Sequence, residues 1–189
     1  MSRTRLSTYT APPAEVARTL DALRAHYEVP TAFPPEALAE AEAAAGAWAQ
    51  DGPARLLADG ARDARDLELV TIDPPGSMDL DQAVLLERLP THADQADPAS
   101  AKVGDVPEPS AAYRVHYAIA SLATFVTPGG ALDAELRRRG ETIYAPDAAT
   151  PLHPEVLSHG AASLLEDVDR PACLWTIDLD ARGEVVSAR

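Results

Sequence analysis

Residues 65–83 read RDLELVTIDPPGSMDLDQA, and the reading of this stretch decides the rest. Leu69-Val70-Thr71-Ile72 is a short apolar run with β-branched residues, so a buried strand is predicted there. Pro74-Pro75-Gly76-Ser77 is turn chemistry. Ala83-Val84-Leu85-Leu86 then reads as a second strand. Asp73 ends the first strand, and Asp79 and Asp81 lie at alternate positions before the second. In extended backbone, alternate side chains point to the same side, so the three carboxylates are predicted to converge.

Convergence has an electrostatic cost. Two unit charges ~4 Å apart repel by ~1 kcal/mol in water and ~4 kcal/mol at an effective dielectric of ~20. Without a cation, such a cluster raises a carboxyl pKa or splays apart. A hard divalent ion removes the conflict, and all-oxygen ligands favour Mg²⁺, Mn²⁺ or Ca²⁺ over zinc. A solvated acidic turn is an equally good reading of the spacing alone. An EF-hand is not. Counted from Asp79, position 6 is Val84 rather than Gly, and position 12 is Pro90 rather than Glu. Asp79-Leu80-Asp81 also resembles the Asp-x-Asp of metal-dependent sugar transferases, but that needs a βα nucleotide-binding unit upstream.

Upstream the chain reads as helices. Pro12-Pro13 opens a pattern with Val16, Leu20, Leu23 and Tyr27 on one face. Pro34-Pro35 starts another, with Leu38, Ala41, Ala45 and Trp48 on one side, in an Ala-rich run that favours helix. Asp51-Gly52-Pro53 is expected to break it. Downstream, residues 89–110 are rich in Pro, Asp, Ala and Ser and are predicted to form an exposed, mobile loop. Tyr113–Ile119 alternates like a strand. LDAELRRRG is helical, with Gly140 as its stop. Ile143-Tyr144 is extended. Cys173–Leu179 is a strand leading through Asp180–Gly183 into a hairpin, with Cys173 expected as a buried small hydrophobe. The predicted class is α+β, with a helical region over 1–62, a helix-turn-helix-like appendage or a cap, followed by a second unit over 63–189.

The chain has 189 residues, a formal net charge of −14 and 46% hydrophobic residues. This balance excludes a nucleic-acid binder built on a broad basic face, since phosphate contacts need Lys and Arg. It leaves open an acidic site that recruits a cation which then meets phosphate. Cys173 is the single cysteine, so no intramolecular disulfide forms, and no run approaches a membrane span. With no apolar leader, the protein reads as cytoplasmic. The five histidines show no ligand spacing, Ser158-His159 makes no triad, and Arg137-Arg138-Arg139 reads as a solvated helix face.

Several ordered blocks resemble the catalytic (RNB) domain of the ribonuclease II and ribonuclease R family. RDLELVTIDPPGSMDLDQA is similar to its opening, which reads Thr-Ile-Asp and then Asp-x-Asp-Asp-Ala. YRVHYAIA (113–120), TPGGALDAELRRRGETIYAPD (127–147), PLHPEVLSHGAASL (151–164) and DRPACLWTIDLDARGEV (169–185) follow the family in order. The resemblance implies processive 3′→5′ degradation of single-stranded RNA to nucleoside 5′-monophosphates. It implies Mg²⁺, with Mn²⁺ as an alternative, held by Asp73, Asp79 and Asp81, with Gln82 at the position of a fourth aspartate. It gives Asp81 the leading catalytic role, and gives Tyr144 the tyrosine that stacks on the 3′-terminal base. Ser121 stands where the family has an aspartate, and with Arg170 it is a candidate for RNA contact. The family domain extends beyond these blocks, so the chain is expected to be an incomplete enzyme. The alternative expectation is a non-catalytic relative that binds metal, RNA or a protein.

Overall fold

The computed structural model describes residues 13–90 and 111–189. The segments 1–12 and 91–110, the second of which holds most of the predicted loop, lie outside the described residues. The fold is α+β. Two N-terminal helices, α1 (Ala14–His26) and α2 (Pro35–Ala58), precede strands β1 (Gln82–Arg88) and β2 (Tyr113–Ala120). A 3-10 turn (Leu122–Phe125), helix α3 (Ala131–Arg139), the two-residue strands β3 (Ile143–Tyr144) and β4 (Ala149–Thr150), and a π-helical turn (Val156–Ala161) follow. Strands β5 (Ala172–Leu179) and β6 (Val185–Ala188) end the chain. The main sheet is antiparallel in the order β1-β2-β5-β6, and β3 pairs with β4 apart from it.

The predicted strand at Leu69–Ile72 does not form. Only Val70 pairs, exchanging two backbone hydrogen bonds with Val84 at 3.0 and 2.9 Å. Ile72 beyond it is 83% exposed and gains no packing from further pairing, and Pro74 and Pro75 turn the chain away two residues later.

The predicted break at Asp51-Gly52-Pro53 is also absent, and α2 runs on to Ala58. Pro53 forfeits one helical hydrogen bond. Packing on its far side holds the helix, since Leu56 reaches the core beyond the proline. The Arg55–Asp51 pair at 3.1 Å is exposed and contributes little. Gly52 is needed here for a steric reason, because a Cβ at this position would lie 2.4 Å from the Trp48 ring. In an open helix, Gly→Ala gains up to about 1 kcal/mol. Here the overpacking cost of about 1–3 kcal/mol exceeds that gain. Gly52→Ala is therefore expected to lower stability, and a rise in the midpoint of urea denaturation would refute the packing account.

One hydrophobic core joins both halves of the chain. Ala37, Ala41 and Trp48 of α2 pack with Phe125, Leu132, Leu157 and Ala162. Trp48 meets Phe125 edge-on with centroids 5.7 Å apart. The helix α2 is thus half of a shared core rather than a separate appendage. By contrast α1 buries none of its residues, and its predicted apolar face leaves Val16, Leu23 and Tyr27 exposed. Its tie to the body includes the ion pair between Arg24 and Asp147.

Helix α3 begins where Glu40 of α2 accepts the N–H groups of Ala131 and Leu132 at 2.8 and 2.9 Å, a capping contact from a distant helix. It ends at Gly140 with φ 75°, a conformation that glycine adopts freely. The arginine run at its C-terminus is not a uniformly solvated face. Arg139 is buried: it bonds Glu135 at 2.8 Å, Pro151 O at 3.0 Å and Ala32 O at 2.7 Å, and lies over the Phe33 ring at 3.6 Å.

On one face of the main sheet, Ala83, Ala118, His116, Thr176 and Asp178 are buried. His116 contacts Glu87 at 2.9 Å and Thr176 at 3.3 Å. The other face exposes Leu86, Tyr113, Trp175 and, against expectation, Cys173. Strand alternation decides this, because Cys173 opposes Ile119 on that outer face. Arg114 grips Asp178 with two bonds of 2.7 and 2.9 Å, which holds the Asp178 carboxyl down at about 2. A carboxyl depressed in the folded state contributes stability above its unfolded pKa of about 3.9 and loses it as pH falls toward 2. The contribution is about 2 kcal/mol at most, and less after solvent screening of Arg114. Asp178→Asn is expected to flatten the stability profile between pH 4 and 2, read from urea melts across that range. A parallel pair of profiles would rule the contribution out.

Candidate active site

The carboxylate loop runs from Val70 to β1 and is fixed at several backbone points. Ser77 N–H donates to Pro74 O at 3.1 Å around Pro75 and Gly76, with Gly76 at φ 91°, the pattern of a type II turn. Ser163 Oγ donates to Met78 O at 2.6 Å and accepts the Leu80 N–H at 3.0 Å. Leu164 N–H donates to Leu80 O at 2.8 Å, and Ala120 N–H to Asp81 O at 2.9 Å.

The loop leaves Asp73, Asp79 and Asp81 exposed. Asp73, Asp81 and Gln82 line one depression of about 260 Å³, together with Ile72, Val84 and Tyr117. Asp79 does not line it. Among the described residues no group of three or more His, Cys, Asp or Glu side chains gathers closely enough to cage a metal. The predicted three-way convergence is therefore not formed: Asp73 and Asp81 share the depression and Asp79 stands outside it. Ser163 anchors the chain on both sides of Asp79, and Asp81 is held by the Ala120 N–H at 2.9 Å, so the two carboxylates leave the loop from separately fixed backbone.

Two carboxylates and an amide oxygen around one depression still fit Mg²⁺. That ion commonly takes one or two carboxylates, keeps several waters and completes its shell with phosphate oxygens. Gln82 is oriented by the Tyr117 hydroxyl, which donates to Gln82 Oε1. Sequence reading missed Tyr117, because strand register sets this contact. Tyr117 sits opposite Val84, one pleat from Gln82.

The other candidate residues lie elsewhere. Tyr144 is 80% exposed on β3 and does not line the depression. Ser121 is half-buried at the start of the 3-10 turn. Its N–H donates to Pro171 O at 2.9 Å, and its hydroxyl accepts from Thr124 Oγ1 at 3.0 Å. Arg170 turns its guanidinium to backbone, Nε donating to Ser163 O at 2.9 Å and Nη1 to Asp169 O at 3.1 Å. Asp169 in turn pairs with Arg65 at 3.1 Å. Ser163 was legible only as part of a matched block, since no local pattern marks a serine as buried.

Residues 61–189 match the RNB domain family model. The chain belongs to that family, the ribonuclease II and ribonuclease R group of 3′→5′ exoribonucleases. Its similarity runs to ribonuclease R in particular. It is 34% identical to ribonuclease R of Acidithiobacillus ferrooxidans over 164 residues, 87% of this chain and 32% of that protein. It is 33% identical to ribonuclease R of Escherichia coli over 67% of this chain and 13% of that one. It is 36% identical to the human exosome complex exonuclease RRP44 over 63% of this chain and 11% of that one. The chain thus spans about a third or less of the length of these relatives. The apo form of Mycoplasma genitalium RNase R superposes with a TM-score of 0.70 at 22% identity, covering 93% of this chain and 24% of that one, a likeness of fold. The complex of that enzyme with ribose-methylated single-stranded RNA superposes at 0.55 with 26% identity, covering 68% of this chain and 17% of that one.

Proposed function

We propose that this chain carries the acidic part of the active centre of a Mg²⁺-dependent, processive 3′→5′ exoribonuclease that acts on single-stranded RNA and releases nucleoside 5′-monophosphates. The observation that carries the proposal is the depression shared by Asp73, Asp81 and Gln82, in a chain of the RNB family.

Asp73 and Asp81 would hold the cation, and Gln82, oriented by Tyr117, would offer a neutral oxygen. When bound there, Mg²⁺ supplies positive charge for the scissile phosphate and lowers the pKa of water. Asp79, outside the depression, is proposed as a contributor to the negative field that draws the cation in. The exposed Tyr144 ring is free to stack on a base, a contact worth about 1–3 kcal/mol and indifferent to base identity, as a non-specific nuclease needs. Ser121 and Arg170 are proposed as further RNA contacts.

The test uses the protein expressed from its complete reading frame and a 3′-labelled single-stranded RNA. Mg²⁺-dependent release of nucleoside 5′-monophosphates from the 3′ end, abolished by EDTA, is expected. Endonucleolytic fragments, or no cleavage with either Mg²⁺ or Mn²⁺, would overturn it. The neutral Gln82 favours one second reading, a non-catalytic relative that binds metal or RNA. Saturable Mg²⁺ binding without RNA cleavage would support that one instead.

A further inference from the structure

We infer that Ser163 is a positioning residue for the active centre, fixing the directions in which Asp79 and Asp81 stand; this rests on the reading of the carboxylate depression proposed above. Ser163 is 2% exposed, so water does not serve its hydroxyl. The hydroxyl is used twice, donating to Met78 O at 2.6 Å and accepting from Leu80 N–H at 3.0 Å. One residue on, Leu164 N–H holds Leu80 O at 2.8 Å. These bonds secure the peptide groups on both sides of Asp79 and both backbone polar atoms of Leu80. Asp79 and Asp81 flank Leu80, so neither can re-aim through the backbone without breaking one of them.

The clamp is itself held from behind. Ser163 follows the π-helical turn Val156–Ala161, a rare element that recurs at functional sites. Leu157 and Ala162, 0% and 1% exposed, root that turn in the core beside α2. Arg170 Nε fixes the Ser163 carbonyl at 2.9 Å. A route of packed and bonded groups thus runs from the helical core to the carboxylate loop, across 83–85 residues of sequence. The hydroxyl suits its place because it serves as donor and acceptor at once. Alanine would leave Met78 O and Leu80 N–H without that partner in a part-buried setting.

The experiment uses the protein from its complete reading frame, with Ser163→Ala, Ser163→Cys and Asp81→Asn. Mn²⁺ alone is titrated by electron paramagnetic resonance, and the Mg²⁺ concentration for half-maximal RNA digestion is measured separately. Ser163→Ala is expected to stay folded by circular dichroism, to weaken Mn²⁺ binding about tenfold and to raise the half-maximal Mg²⁺ by a similar factor. KM for RNA is expected to change less than twofold. Ser163→Cys, which keeps a weak donor and acceptor, should fall between Ser163→Ala and the parent. If Ser163→Ala unfolds the protein, the Cys variant decides by the same readings. A folded Ser163 variant with metal affinity and half-maximal Mg²⁺ within twofold of the parent overturns the inference while leaving the functional reading intact. A parent that binds no Mn²⁺, or an Asp81→Asn that binds it as the parent does, overturns the functional reading, and Ser163 is then only a loop anchor.

Discussion

Arg139→Ala is expected to lower the unfolding free energy by about 3–5 kcal/mol, the usual range when one partner of a buried ion pair is removed. The effect is large because one side chain does four things. It pairs with Glu135 at 2.8 Å, bonds Pro151 O and Ala32 O at 3.0 and 2.7 Å, and covers the Phe33 ring at 3.6 Å. Truncation leaves two carbonyls short of a donor and removes charge from beside Glu135, itself 5% exposed. Arg138 softens the loss, since its two 2.8 Å bonds are the main force holding the Glu135 carboxyl below its usual range. Arg139→Lys should recover only part of the stability, because an ammonium cannot make the same fork of bonds or stack as flatly. A shift of roughly 10 °C in Tm follows at about 2–4 °C per kcal/mol for a domain of this size. A shift below 2 °C would show that the four contacts are not cooperative. Arg137→Ala is the control: Arg137 is exposed, and its pair with Asp133 at 3.0 Å is of the surface kind that contributes little.

Asp81→Asn is expected to cut the rate of RNA digestion at least 100-fold while leaving Tm within about 1 °C. Removing a well-placed charged or polar group from a catalytic site commonly costs about 10²–10³ in rate. Asp81 lines the depression beside Asp73 and Gln82, and its exposed carboxylate packs against nothing that folding depends on. Its backbone carbonyl, bonded to Ala120 at 2.9 Å, is untouched by the change. Asp73→Asn should act similarly. Asp79→Asn, outside the depression, should cost distinctly less. Rates and melting curves measured on the same three variants separate a functional cost from a structural one. Equal losses for all three would mean that the loop closes around the cation with Asp79 included, and an unchanged rate for Asp81→Asn would remove it from the chemistry.

Much of the architecture was open to local reading. Strand β1 follows from a short apolar run, and β2 and β5 follow from two-residue alternation. The turn at Gly76 follows from Pro-Pro-Gly-Ser, and α3 with its stop at Gly140 from helical periodicity and a glycine. The acidic loop and the family to which it belongs were likewise legible, because ordered motifs are a property of the chain itself. The misreadings share a cause. Pro53 looked like a helix end because its local penalty is visible, whereas Leu56 on the core and the Trp48–Gly52 contact are not. Arg139 looked solvated because its composition is visible and Phe33, Ala32 and Pro151 around it are not.

The amino-acid order alone determined which residues bear charge, which backbone segments extend or coil, and that three aspartates stand at the entrance to β1. Tertiary structure decided which of them share a depression, that Tyr117 holds Gln82, and that Ser163 grips the loop from the far end of the chain. The division is physical. Torsional preference and amphipathic period act over a few residues, whereas a hydrogen bond spanning 85 positions exists only after the core around α2 has brought its two ends together.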